Sequence, residues 1–142
     1  MIRKAGVRAS AVGTVLALAL TGVASASGPA PTLGSPNGKS VSPGAIKLVV
    51  TIPLTPHKKG VFIAISPTRT SKGGHLTAKC NVTKGCDFVA PKHLKGHKWV
   101  YVAKYNFPGY WAVTPGKYYW QVHYYQPNFS VHYSKIGSFT VK

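Results

Sequence analysis

The sequence predicts an all-β fold, a two-sheet antiparallel β-sandwich of about seven strands, on three observations. No window carries a 3.6-residue apolar repeat over the roughly ten residues that a stable helix needs. Apolar and aromatic residues alternate with polar ones in short runs, as they do in half-buried strands. Proline and glycine interrupt these runs at short, uneven intervals, which fits two packed sheets better than a barrel.

The elements follow in order. Residues 1–26 read as an export signal: Arg3, Lys4 and Arg8 form a positive head, Ala11 to Ala24 is apolar, and Ala24-Ser25-Ala26 is a small-x-small cleavage site. Cleavage after Ala26 predicts a secreted, extracellular protein, released or held loosely at the cell surface. No later apolar run is long enough to span a membrane, so no transmembrane span is predicted in the mature chain. Residues 27–44 form a Pro/Gly/Ser-rich linker running into an edge strand, with Pro29, Pro31, Pro36 and Pro43 blocking regular helix. Residues 45–142 hold the sandwich. In Ala45 to Ile52, the residues Ile46, Leu48, Val50 and Ile52 alternate with wetter neighbours. Gly60 to Ser66 is apolar on both parities, as a strand covered on both sides would be, and Pro67 stops it. Thr68 to Gly85 reads as a long connection with a short strand at Leu76 to Cys80. Lys98 to Tyr105 is a strand rich in aromatic and β-branched residues. Pro115-Gly116 turns the chain into Lys117 to Tyr125, where Tyr118, Trp120, Val122 and Tyr124 share one face. Ile136 to Val141 supplies the last strand.

Composition excludes several chemistries. The chain of 142 residues has 18 Lys and Arg against one acidic residue, Asp87, for a formal charge of +17. Removal of the signal, with its three basic side chains, leaves 116 residues at +14. Glycoside hydrolysis by paired carboxylates is excluded, as are calcium, magnesium and two-metal sites that need clustered acidic oxygens. A Ser-His-Asp triad would have to use Asp87, and no Gly-x-Ser-x-Gly motif occurs. No phosphate-cradling loop or dinucleotide fingerprint occurs either. No catalytic residue, metal ligand or cofactor is assigned. Cys80 and Cys86, with five residues between them, read as a disulfide on the ground of the oxidising compartment; a Cys/His metal site is the alternative, without the usual ligand spacing.

Thr114-Pro115-Gly116-Lys117-Tyr118-Tyr119-Trp120-Gln121-Val122, followed by Ile136-Gly137-Ser138-Phe139-Thr140-Val141, resembles the last hairpin of fibronectin type III and related immunoglobulin-like domains of exported bacterial proteins. Gly34-Ser35-Pro36-Asn37-Gly38 resembles their first-strand start. The resemblance implies a binding, spacer or display module without catalytic residues, and a tyrosine corner at Tyr118, with Tyr119 as the alternative. The sequence departs from the pattern in lacking a core tryptophan on the second strand, where Phe62 stands.

Three features point to function. Lys92, Lys95, Lys98 and Lys104, with His93 and His97, form the densest basic run and are candidate contacts to an anionic polymer: nucleic acid, cell-wall polymer, acidic polysaccharide or lipid headgroups. Solubility of an exported protein is the simpler explanation of the same charge. Arg69 is the only arginine after the signal, which argues against base-specific readout and so against sequence-specific nucleic-acid binding. Tyr105, Phe107, Tyr110 and Trp111 flank a Pro-Gly turn and are candidate platforms for stacking on sugars or unpaired bases. A neutral-glycan module using these rings is one alternative function; a small secreted nuclease using two histidines and a lysine is another. Asn81-Val82-Thr83 and Asn128-Phe129-Ser130 match glycosylation acceptors, which matter only in a eukaryotic secretory host.

Overall fold

The computed structural model describes residues 28–80, 83–103 and 109–142; the signal segment, Lys104, Tyr105 and Phe107 lie outside them. The described chain is all-β apart from one 3-10 turn, Gly109–Ala112. One sheet has four strands in the order β1 (Thr32–Leu33), β3 (Lys47–Thr51), β9 (Lys98–Val102) and β8 (Lys92–Lys95). The second runs β2 (Ser40–Val41), β12 (Gly137–Val141), β10 (Gly116–Tyr125), β4 (Val61–Ser66) and β7 (Asp87–Val89), with β11 (Val131–Tyr133) on the far half of β10. A small hairpin, β5 (Ser71–Lys72) with β6 (His75–Leu76), completes the set.

The inner faces of the two larger sheets share one core, the arrangement of a β-sandwich. Alternation decides which side chains enter it. Leu48 and Val50 come from β3, Ile63 and Ile65 from β4, and Tyr118, Trp120, Val122 and Tyr124 from β10, all fully buried. Phe139 and Val141 of β12 join them, and Trp111 enters from the 3-10 turn. Trp111 packs edge-on against Phe139 at 5.7 Å and Tyr118 at 6.3 Å. Tyr118 donates its Oη hydrogen to the Thr114 carbonyl over 2.7 Å, which ties the start of β10 to the turn preceding it.

Several elements differ from the sequence-based expectation. Residues 32–41, expected to be linker and the start of an edge strand, supply one short strand to each sheet. β1 pairs antiparallel with β3 and β2 pairs parallel with β12, so the pairing is not wholly antiparallel. Tight turns join β1 and β2, with Asn37 N donating to Gly34 O and Lys39 N to Pro36 O, and carry the chain from one sheet to the other. β7 and β8 carry no alternating signature in the sequence: β8 (Lys-His-Leu-Lys) is exposed throughout, and β7 is only three residues long. The strand expected at Leu76 to Cys80 is confined to His75–Leu76.

The hairpin β5–β6 folds over the outer face of the larger sheet, where Gln121 would otherwise meet solvent. Leu76 N donates to Gln121 Oε1 over 2.7 Å, and Gln121 Nε2 donates to Gly74 O and Ser134 O. A polar strand residue is thereby buried with its hydrogen bonds satisfied.

Candidate functional site

Two loops build a cleft at one end of the molecule. The first joins β3 to β4. Its backbone closes as a turn, with Gly60 N donating to His57 O, and it is pinned to the end of β10 by His57 N to Tyr125 O and Tyr125 N to Gly60 O. Pinning both ends leaves Lys58 and Lys59 at the exposed tip. The second loop is the tip of the β8–β9 hairpin, where Gly96 takes a φ of 56° and the backbones of Ile52 and His97 meet. Between them lies a cleft of about 470 Å³ lined by His57, Lys58, Lys59, His93, His97 and Trp99, among others.

The three histidines are each oriented by a backbone carbonyl. His57 Nδ1 donates to Lys58 O (2.8 Å), His93 Nε2 to Gly96 O (2.7 Å) and His97 Nδ1 to Ile52 O (2.9 Å). A carbonyl only accepts, so these nitrogens carry the hydrogens, and the opposite nitrogen of each ring is left as an acceptor when neutral and a donor when protonated. Among the described residues, no group of three or more His, Cys, Asp or Glu is arranged to hold a metal ion.

The basic run expected to act together is divided. His93 and His97 face the cleft, whereas Lys92 lines a separate recess with Val100 and Val102, because neighbouring residues of a strand point to opposite faces. Lys95 and Lys98 sit opposite one another at the exposed hairpin end. Lys104 lies outside the described residues. The cleft instead recruits His57, Lys58 and Lys59 from a loop some forty positions earlier. The signal for them was local: a cationic pair between Pro56 and Gly60, in a turn joining two strands.

The aromatic candidates also require correction. Trp111 is fully buried in the core and so cannot serve as an exposed platform; the 3-10 turn rolls its ring inward. Tyr110 is 39% exposed, and Tyr105 and Phe107 lie outside the described residues. The open rings are elsewhere, on the outer face of the larger sheet. Phe62 stacks on Phe88 at 5.3 Å and on His123 at 5.4 Å, and Tyr125 meets Phe62 edge-on. His123 and His75 both contact Tyr133. Phe88 is 58% and Phe129 69% exposed. His123 is held down to a pKa of about 4, chiefly because burial disfavours its charged form, with repulsion from His75 adding to it.

The single acidic side chain serves the interior. Asp87 Oδ2 accepts from Trp111 Nε1 (3.2 Å) and Tyr101 Oη (3.4 Å), and Oδ1 accepts from Phe88 N. It begins β7 directly after Cys86, which is disulfide-bonded to Cys80. Among the described residues, no helix is long and apolar enough to cross a membrane. Comparison of the chain with family models, with curated proteins and with solved structures finds no match.

Proposed function

We propose that the chain is exported and acts as a non-catalytic binding module that associates with anionic polymer through its lysines and histidines. The observation that carries this reading is the cleft where Lys58, Lys59, His57, His93 and His97 converge, while the chain's one acidic side chain is buried among Trp111 and Tyr101. Positive charge without interspersed carboxylates raises the local concentration of anions and steers them in. Because lysine supplies nearly all of it, the contacts are point charges to phosphate, sulfate or carboxylate groups, without base-specific readout. The Cys80–Cys86 disulfide is compatible with an oxidising compartment.

We further propose an immunoglobulin-like scaffold of the fibronectin type III kind. Support comes from the two strand orders, from the N-terminal segment that feeds both sheets, and from the hydrogen bond between Tyr118 and Thr114 O at the entrance to β10. Trp120, two residues after that tyrosine, fills the core position where antibody domains carry a cysteine.

The test is chromatography of the purified protein on immobilised DNA, an anionic wall polymer and a neutral glycan, each eluted with rising salt. Retention on both anionic resins, with earlier elution of the double variant Lys58→Gln/Lys59→Gln, supports the reading. Flow-through everywhere, or salt-resistant retention on the glycan alone, overturns it.

One observation favours a second reading, a small nuclease: three oriented histidines and two lysines line a single cleft. Incubation with RNA separates the two. Cleavage lost in His97→Ala establishes the nuclease, and binding without turnover establishes the module.

A further inference from the structure

We infer that the outer face of the larger sheet is a stacking surface for single-stranded nucleic acid, continuous with the cationic cleft; this rests on the polyanion reading and names its ligand. The surface begins at a recess of about 230 Å³ beside the cleft, lined by His57, Lys59, Gly60, Phe62, Tyr125 and Phe129. His57 and Lys59 line both, so a strand leaving the cleft meets rings immediately. Phe62 continues the surface to Phe88 through their near-parallel stack, 5.3 Å between centroids and 11° between planes.

The recess is held by unfavourable backbone. Among the described residues, Lys59 (φ 60°) and Phe129 (φ 63°) are the only non-glycine residues with positive φ, and both line it. Phe129 occupies the place in a hairpin loop where a left-handed residue closes the turn: Phe129 N donates to Gln126 O and Gln126 N to Ser130 O. Glycine is the default there. A phenylalanine in that conformation, 69% exposed, meets neither the backbone preference nor the drive to bury apolar surface. Strain of this kind persists where a displayed side chain is used. In the lining of the same recess, a positive φ likewise displays Lys59.

The chemistry of the lining selects the ligand. It offers the exposed ring of Phe129 and the ring of Tyr125, with cations from Lys59 and the adjacent Lys58 and no carboxylate or amide side chain, while the faces of Phe62 are taken by Phe88 and His123 and Phe62 serves to seat the neighbouring rings. Sugar hydroxyls require acceptors as well as faces, and the recess has few. Bases require faces, and phosphates require cations, which together are the components of sequence-independent single-strand binding. Duplex DNA keeps its bases stacked inside and presents only phosphates to such a surface. A second copy of the chain is opposed by like charge, since each carries the same lysine excess.

The experiment is fluorescence anisotropy of the purified protein with a labelled oligothymidylate, a duplex of equal length and inorganic polyphosphate, at low and raised salt. The single strand binds most tightly, and Phe129→Ala weakens it about tenfold while leaving polyphosphate binding unchanged. Phe129→Tyr restores the affinity, which separates ring loss from misfolding, and near-ultraviolet circular dichroism of each variant confirms the native core. Lys58→Gln/Lys59→Gln lowers the slope of log K against log salt by roughly 1 to 2 for every ligand. Equal affinity for all three ligands with an inert Phe129→Ala overturns the stacking inference and leaves the polyanion reading intact. Failure to bind any of them overturns both.

Discussion

The indole Nε1 of Trp111 donates to Oδ2 of Asp87 across 3.2 Å, joining a ring from the 3-10 turn to the first residue of β7. Tyr101 of β9 reaches the same oxygen from the other sheet at 3.4 Å, so the only acidic side chain of the chain links both sheets. Asp87→Asn places an amide donor against either the Phe88 N–H or the Trp111 and Tyr101 donors. It is expected to lower stability by about 1–3 kcal/mol, measured by urea unfolding followed through tryptophan emission.

Tyr118→Phe removes the hydroxyl that holds Thr114 O and leaves the ring in the core. The expected loss is about 1 kcal/mol, with little change in the urea slope. Burial pushes the phenols of both Tyr118 and Tyr101 up to about 12, with the Asp87 carboxylate adding to it at Tyr101. A raised folded pKa means that the folded state holds its proton more tightly. Stability is therefore full below pH 10 and falls as pH rises towards 12, a decline readable from thermal melts across that range.

His123 behaves in the opposite sense. Its folded pKa of about 4 lies below the ordinary histidine value, so its contribution is present above about pH 6.5 and is lost as pH falls through 4. The rings of Phe62, Phe88, Tyr125 and Tyr133 pack around it, and repulsion from His75 opposes its protonation. With allowance for partial solvent screening, the loss is at most about 2 kcal/mol. His123→Phe keeps the ring stack and should flatten the decline between pH 6.5 and 4 in urea unfolding midpoints.

Gly137 pairs with Trp120 at the start of β12, and a methyl group there would collide with Asn37 Oδ1 and Leu33 Cδ1. Asn37 Oδ1 accepts from Ser138 N, so it cannot withdraw without losing that bond. Gly137→Ala is expected to destabilise by about 1–3 kcal/mol through overpacking, with a matching drop in melting temperature.

Lys59→Gly relieves a positive φ and removes one cation from the cleft. Stability should rise by up to about 1 kcal/mol while affinity for DNA falls, a pairing that a purely structural lysine would not produce. Differential scanning calorimetry beside the salt-elution assay gives both quantities.

Much of the fold was legible because the period-two pattern is a local property. Tyr118, Trp120, Val122 and Tyr124 could be assigned to one face from the sequence alone, and so could Leu48 and Val50. Charge balance, the exclusion of carboxylate chemistry and the closeness of Cys80 to Cys86 are likewise carried by composition and spacing. The tertiary structure decided everything that depends on which distant segments meet. It brought His57, Lys58 and Lys59 to His93 and His97, turned Lys92 away from them, sank Trp111 into the core and covered Gln121 with the β5–β6 hairpin. It also set Phe62, Phe88 and Phe129 along one outer surface, though each sits in a different stretch of sequence. Alternation tells which side of a strand is apolar; it cannot tell which loop closes over that side or which end of a sheet two turns will share, because those depend on pairing order and on the path between sheets.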